Sequence, residues 1–216
     1  MTELTDDEQA IRKAHDAGRL DIAATLTLTL YGREIRSFVG SRLSTRSDGD
    51  EAYSMFVEDL WAGLPNFSWR CSMRTWAYLL ARNAMTRYAT QPQRRAMRNL
   101  PLSWPGALSD LVEQVRNETR AYHKTEVKDR FRALREKLEP SDQVLLTLRV
   151  DRQMSYRDVA ITLSGTPDWD EEAIERESVR LRQAMAKVRR ELRRLGESEG
   201  LLETRATKRI DRTNLE

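Results

Sequence analysis

Apolar residues recur along this chain at three- and four-residue steps, and nowhere does the sequence alternate with period two long enough to propose a strand. Ile22, Leu26, Leu30, Ile35, Phe38 and Val39 predict a helix over residues 22–43 that buries one stripe. Asp48-Gly49-Asp50 reads as a break and restart, followed by a second helix over 51–64 with Met55, Phe56, Leu60 and Leu64 inward. Pro65 ends it. A short aromatic loop, 66–73, leads into a third helix over 74–88 in which Trp76, Leu79, Leu80 and Asn83 recur. Trp76 and Tyr78 stand two apart and cannot share a helix face, so one of the two is expected in the core.

Pro92, Pro101 and Pro105 with Gly106 then mark a boundary poor in apolar anchors. Ser109 caps a further helix, broken once, that runs toward Leu138. Pro140 stops it and starts the next, over 141–150. Ser155 with Asp158 makes a near-capping box for a short helix, Gly165 marks a turn, and a long basic helix follows. Leu181, Ala184, Val188, Leu192 and Leu195 lie on one face of that last helix. The expected fold is all-α, with two small helical domains at 1–95 and 126–196, a proline-containing linker at 96–125 and a tail at 197–216.

Composition agrees with small domains that expose much surface. Of 216 residues only 39% are hydrophobic and 33% are charged. The net charge of +3 hides strong patterning. Residues 1–60 hold seven basic and twelve acidic side chains, whereas 60–109 hold no acid and accumulate Arg70, Arg74, Arg82, Arg87, Arg94, Arg95 and Arg98. Residues 166–177 carry six acids, and 178–195 then carry seven basic residues against Glu191 alone. Two basic stretches with helical periodicity read as two footprints for a polyanion, where either one alone would pass for a solvated helix face.

Other classes lose support. A lone Cys71 with His15 and His123 supplies neither a disulfide framework nor four zinc ligands, so no metal or other cofactor is expected. The nine glycines are scattered, no nucleophile stands beside an oriented base, and enzymatic activity is not expected. With no signal peptide and no run of about eighteen apolar residues, the expectation is a soluble, cytoplasmic chain without membrane contact.

Two constellations carry the functional reading. In residues 66–87 the aromatic rings of Phe67, Trp69 and Trp76 alternate with Arg70, Arg74, Arg82 and Arg87, beside Asn66 and Asn83. Rings stack on unpaired bases and guanidiniums neutralise phosphate, which suits single-stranded nucleic acid. In residues 155–195 a short helix, a turn and a basic helix form a helix-turn-helix pattern. Its buried stripe leaves Arg176, Arg180, Arg182, Gln183 and Lys187 for DNA, and Arg and Gln pair bidentately with guanine and adenine.

Together these blocks resemble the extracytoplasmic-function (ECF) sigma factors of bacterial RNA polymerase. Thr75-Trp76-Ala77-Tyr78-Leu79-Leu80-Ala81-Arg82-Asn83 looks like the family's hallmark run in the domain that melts the −10 element. Ser155-Tyr156-Arg157-Asp158-Val159-Ala160 is similar to its signature in the −35 domain. The resemblance implies a sigma2-like bundle gripping the β′ clamp helices of core polymerase and opening the −10 DNA. It implies a sigma4-like domain on the β flap and the −35 duplex, with the linker in the RNA exit path. By position, Asn66, Phe67, Trp69 and Arg70 fall in the loop that captures a flipped base. Trp76 and Asn83 would border the melted strand, with Arg74, Arg82 and Arg87 on phosphates. Ser155, Tyr156 and the basic helix would meet −35 DNA.

The chain departs from the family pattern in two places. Where the family's polymerase-binding helix carries an acidic run, this chain reads Glu51-Ala52-Tyr53-Ser54, then Val57-Glu58, so two carboxylates are replaced by Tyr53 and Ser54. Phosphorylation of Ser54 by a Ser/Thr kinase would restore about −2 of charge there and switch polymerase binding on. The plainer reading is that Glu51, Glu58 and Asp59 suffice; restraint by an anti-sigma factor is a further expectation. The turn from Gly165 to Glu172 is also longer and more acidic than the family's. A stand-alone helix-turn-helix regulator explains 138–195 without polymerase but leaves the aromatic-arginine block idle. A protein-binding adaptor predicts no DNA affinity at all.

Overall fold

The structure, a computed structural model, describes residues 5–43, 45–90 and 133–200. The expected linker at 96–125, Arg94, Arg95, Arg98 and the tail beyond 200 lie outside the described residues. Every regular element among the described residues is helical. These residues fall into two compact units, 5–90 with 160–174, and 133–159 with 175–200. The second stretch of the first unit is a grouping that sequence pattern alone did not suggest.

In the first unit the chain opens with α1, Asp6–Asp16, an element the apolar pattern does not announce. Its core-facing residues are Ile11 and Ala14, with Glu8 buried beside them. Its ends are instead set by capping. Thr5 Oγ1 accepts from Glu8 N, three acids occupy the first turn, and Gly18 takes a left-handed φ of +70° at the C-terminus. Gly18 N donates to His15 O and Arg19 N to Ala14 O, the paired bonds of a Schellman close.

Helix α2, Leu20–Gly40, buries Ala23, Ala24, Leu28, Ile35, Phe38 and Val39 and packs against α1, α3 and α4. Helix α3, Arg46–Gly63, begins earlier than the sequence suggests, because Thr45 Oγ1 caps it by accepting from Asp48 N. The Asp48-Gly49-Asp50 triplet is therefore inside the helix and not a break. Gly49 serves another purpose: a Cβ there would stand 3.1 Å from Gly40 Cα, so the missing side chain lets α2 and α3 close together. After a 3-10 turn, Leu64–Asn66, helix α4 covers Met73–Thr90 and makes its largest packing with α3. Its N-terminus is capped twice, by Ser72 Oγ accepting from Thr75 N and by Glu8 Oε1 accepting from Arg74 N.

In the second unit α5, Pro140–Leu146, starts with its proline in the first turn and widens into a π-helical turn, Thr147–Asp151. Leu134, Leu138, Leu145, Leu146 and Leu148 are buried. Arg135 closes on both carboxylate oxygens of Asp151, at 2.7 and 3.0 Å. Helix α6, Tyr156–Ser164, crosses from the second unit into the first. It is capped by Ser155, whose Oγ accepts from Asp158 N at 3.1 Å and donates to Asp158 Oδ2 at 2.6 Å. Helix α7, Glu171–Ser198, starts on Asp170, whose carboxylate accepts from Ala173 N at 3.0 Å. Its inward stripe is Ile174, Ser178, Leu181, Met185, Val188 and Leu195.

Candidate nucleic-acid interface

The aromatic-arginine block divides sharply. Phe67 and Trp76 stack on one another with centroids 4.6 Å apart and an interplanar angle of 26°. They keep 8% and 5% of their surface. A ring that stacks on a base needs an open face, and these two are spent on each other. Trp76 is held further by Gly63, where a Cβ would lie 3.0 Å from its ring. Tyr78 is fully buried against Phe38. The stacking role expected of Phe67 and Trp76 is therefore corrected to a packing role, and both Trp76 and Tyr78 are core despite standing two apart. Helix α4 is enclosed on more than one face, so residues two apart are both buried.

Arg74 is likewise committed to the fold. Its Nε and one terminal nitrogen grip both oxygens of Glu34 at 2.7 and 2.9 Å, and its guanidinium lies 5.7 Å from the Tyr78 ring. The hydrogen bonds to Glu34 hold its pKa above the ordinary arginine value. A guanidinium occupied on two edges is not a phosphate clamp, so Arg74 is corrected to a structural ion pair. Arg87 pairs with Asp59 at 2.7 Å, which joins one residue expected on DNA to one expected on polymerase. Burial raises the Asp59 pKa, and Arg87 opposes that rise less strongly.

What remains toward solvent is Asn66 and Arg70, with Arg82, Asn83 and Trp69 half-exposed. Trp69 sits at a left-handed φ of +57°, held by contacts the sequence does not reveal. Its indole N–H donates to His15 Nδ1, and the Arg12 guanidinium lies 5.5 Å from its ring. Arg70 reaches the segment after α6, donating to Asp168 Oδ1 at 3.1 Å and to Trp169 O at 2.6 Å. Its guanidinium is 4.6 Å from the Trp169 ring. Asn83 Nδ2 donates to Gly165 O at 2.9 Å. Partners 82 to 99 residues away in sequence leave no local signal. Next to Arg70 in sequence stands Cys71, the single thiol, 9% exposed.

On the expected polymerase face, Tyr53 is a correction. It is 0% exposed, packed on Phe56 and near the Arg36 guanidinium, so it offers no surface to a partner or a kinase. It falls on the inner face of α3, whose buried side it shares with Ala52 and Phe56. Glu51 is exposed, and Ser54, Glu58 and Asp59 are half-buried. Ser54 Oγ donates to Asp50 O at 3.0 Å, and Asp50 pairs with Arg36.

Within α7 the positions expected on DNA point outward. Arg176, Arg180, Arg182, Gln183 and Lys187 are exposed, and Arg176, Arg180, Gln183 and Lys187 repeat at four, three and four residues along one face. Arg180 makes a surface pair with Glu177, an interaction that costs little to exchange for another anion. Tyr156 is half-buried, with the guanidiniums of Arg149 and Arg182 at 4.8 and 5.7 Å from its ring. Ser155 is exposed, but its hydroxyl is engaged in the α6 cap.

Among the described residues no group of three or more His, Cys, Asp and Glu side chains is placed to hold a metal. No helix of these residues is long and apolar enough to cross a membrane. No family model matches the chain, and neither a curated protein nor a solved structure is found to be similar to it.

Proposed function

We propose that this chain is a promoter-recognition factor of the ECF sigma type, a two-domain helical protein that directs core RNA polymerase to DNA. The observation that supports this reading best is α7. Its apolar stripe is buried, while Arg176, Arg180, Gln183 and Lys187 stand in a row toward solvent behind a capped short helix and a turn. That is what a recognition helix needs for the major groove of a −35 element. A second, weaker support is the acid-free stretch of sequence that contains Asn66 and Arg70, suited to a melted −10 strand. On this reading the β′ clamp helices would meet Glu51, Glu58 and Asp59, and a kinase acting on Ser54 would add the missing charge beside exposed Glu51. The factor itself does no chemistry on its substrates.

Reconstituted transcription tests the reading. Core polymerase with this chain should initiate from a subset of promoter fragments, and polymerase alone should not. A library that yields no chain-dependent transcript would remove it. The burial of Phe67 and Trp76 favours one competitor, a stand-alone helix-turn-helix regulator, because the aromatic block then explains itself as packing. Duplex protection by the chain without polymerase, together with no co-purification with core, would select that competitor.

A further inference from the structure

We propose that the acidic turn at residues 165–169 is a built-in cover over the single-strand face formed by Arg70, Arg82 and Asn83. This rests on the promoter-factor reading for the identity of the strand that is excluded. Each group of the turn occupies a place that nucleic acid would take. The Asp168 carboxylate stands on Arg70 where a phosphate would, at 3.1 Å. The Trp169 ring lies against the same guanidinium, 4.6 Å from its centre, where a base would stack. Gly165 O accepts from the Asn83 amide at 2.9 Å, as a base carbonyl would.

Approach this close depends on glycine. Gly165 has φ +74°, and a Cβ there would lie 2.8 Å from an Arg82 terminal nitrogen and 3.4 Å from Asn83 Oδ1. The turn is also pre-shaped, since Thr166 Oγ1 accepts from Asp168 N at 3.1 Å and donates to Asp168 O at 3.3 Å. Residues 160–174 belong to the same compact unit as α1–α4.

The cover is made to lift. The Asp168 side chain is 97% exposed, and an exposed ion pair is readily screened and exchanged. Closing it reduces the fraction of molecules competent to bind, and the apparent dissociation constant rises by the reciprocal of that fraction. The unusual length and acidity of the turn then has a use: the free chain is kept off stray single strands.

The test is binding of a short labelled single-stranded DNA of mixed sequence to the full chain at fixed salt. The variants are Asp168→Ala/Trp169→Ala and, because Trp169 is itself packed, Gly165→Ala. Glu175→Ala, an exposed acid elsewhere on α7, controls for the loss of one negative charge. Either cover variant should bind about tenfold more tightly than wild type, with the control within about twofold. Equal affinity for wild type and both cover variants overturns the cover, and so does absence of binding by all of them. Promoter-directed transcription by the same proteins separates the two failures: if it persists, only the cover is wrong, and if it is absent throughout, the promoter-factor reading falls with it.

Discussion

His15 is hydrogen-bonded through both ring nitrogens to the loop that follows α3: Nδ1 accepts the Trp69 indole N–H at 3.3 Å, and Nε2 donates to Leu64 O at 2.9 Å. A carbonyl only accepts and an indole only donates, so in these two bonds Nε2 is the donor and Nδ1 the acceptor. The ring also meets Phe67 and Trp69 edge-on, at 6.3 and 5.8 Å. Helix α1 therefore anchors both ends of the 64–69 loop through one side chain.

Replacing His15 with Ala leaves a carbonyl and an indole N–H without their partners in a part-buried site. We expect a loss of about 1–3 kcal/mol in urea unfolding. Trp69 fluorescence should shift as its ring is released. An unchanged denaturation midpoint would show that the loop holds its shape without α1.

Arg74 and Arg70 look alike in sequence and differ in the fold. Arg74→Ala breaks a two-pronged pair and strands Glu34 in a half-buried place, so it should cost about 2–4 kcal/mol. Arg70→Ala removes an exposed ion pair with Asp168, a bond to the Trp169 carbonyl and a ring contact, strands no charge in a buried place, and should cost less, about 1 kcal/mol. Chemical denaturation of the two variants side by side checks the ordering.

Gly40 and Gly49 face each other across the α2–α3 contact, yet substitution should act in opposite directions. A Cβ on Gly40 meets nothing within 4 Å, so Gly40→Ala gains helix propensity and should stabilise by up to about 1 kcal/mol. A Cβ on Gly49 would press the α2 backbone at 3.1 Å, and the strain of about 1–3 kcal/mol should exceed the same gain in propensity. Thermal melting of both variants should show one rise and one fall.

Asp59 predicts a pH dependence with a defined sign. Burial raises its pKa in the folded chain above the usual carboxylate value. Between the ordinary and the raised value the folded form holds more protons than the unfolded form, so this group's contribution to stability falls as pH rises through that window. Asp59→Asn should remove the slope and melt no lower than wild type at neutral pH, despite losing the Arg87 pair. A clear drop in melting temperature would mean that the ion pair outweighs the desolvation.

The helical periodicity of 22–43 and 51–64 was legible because each carries a continuous apolar stripe, and Ser155 announced α6 through its spacing to Asp158. Helix α1 was not legible. Its core contribution is Ile11, Ala14 and a buried glutamate, and its ends are set by Thr5 and Gly18 in place of a stripe. Gly49 is a related case, since a glycine that breaks a helix and one that admits a neighbouring helix are identical in sequence. On the DNA side, residue type identified α7's outward row, but it did not distinguish Arg74 from Arg70. That distinction depends on Glu34, Asp168 and Trp169, which lie 40 to 99 residues away.

Cys71 lies enclosed in the packing just ahead of α4 and is the chain's lone sulfhydryl. Maleimide reagents should therefore react slowly with the native protein, leaving the background nearly silent. A cysteine introduced at exposed position 167 and another at an exposed site of α1 would then accept a dye pair without first deleting the natural thiol. Distance changes on adding polymerase or DNA could be followed in an otherwise unaltered chain.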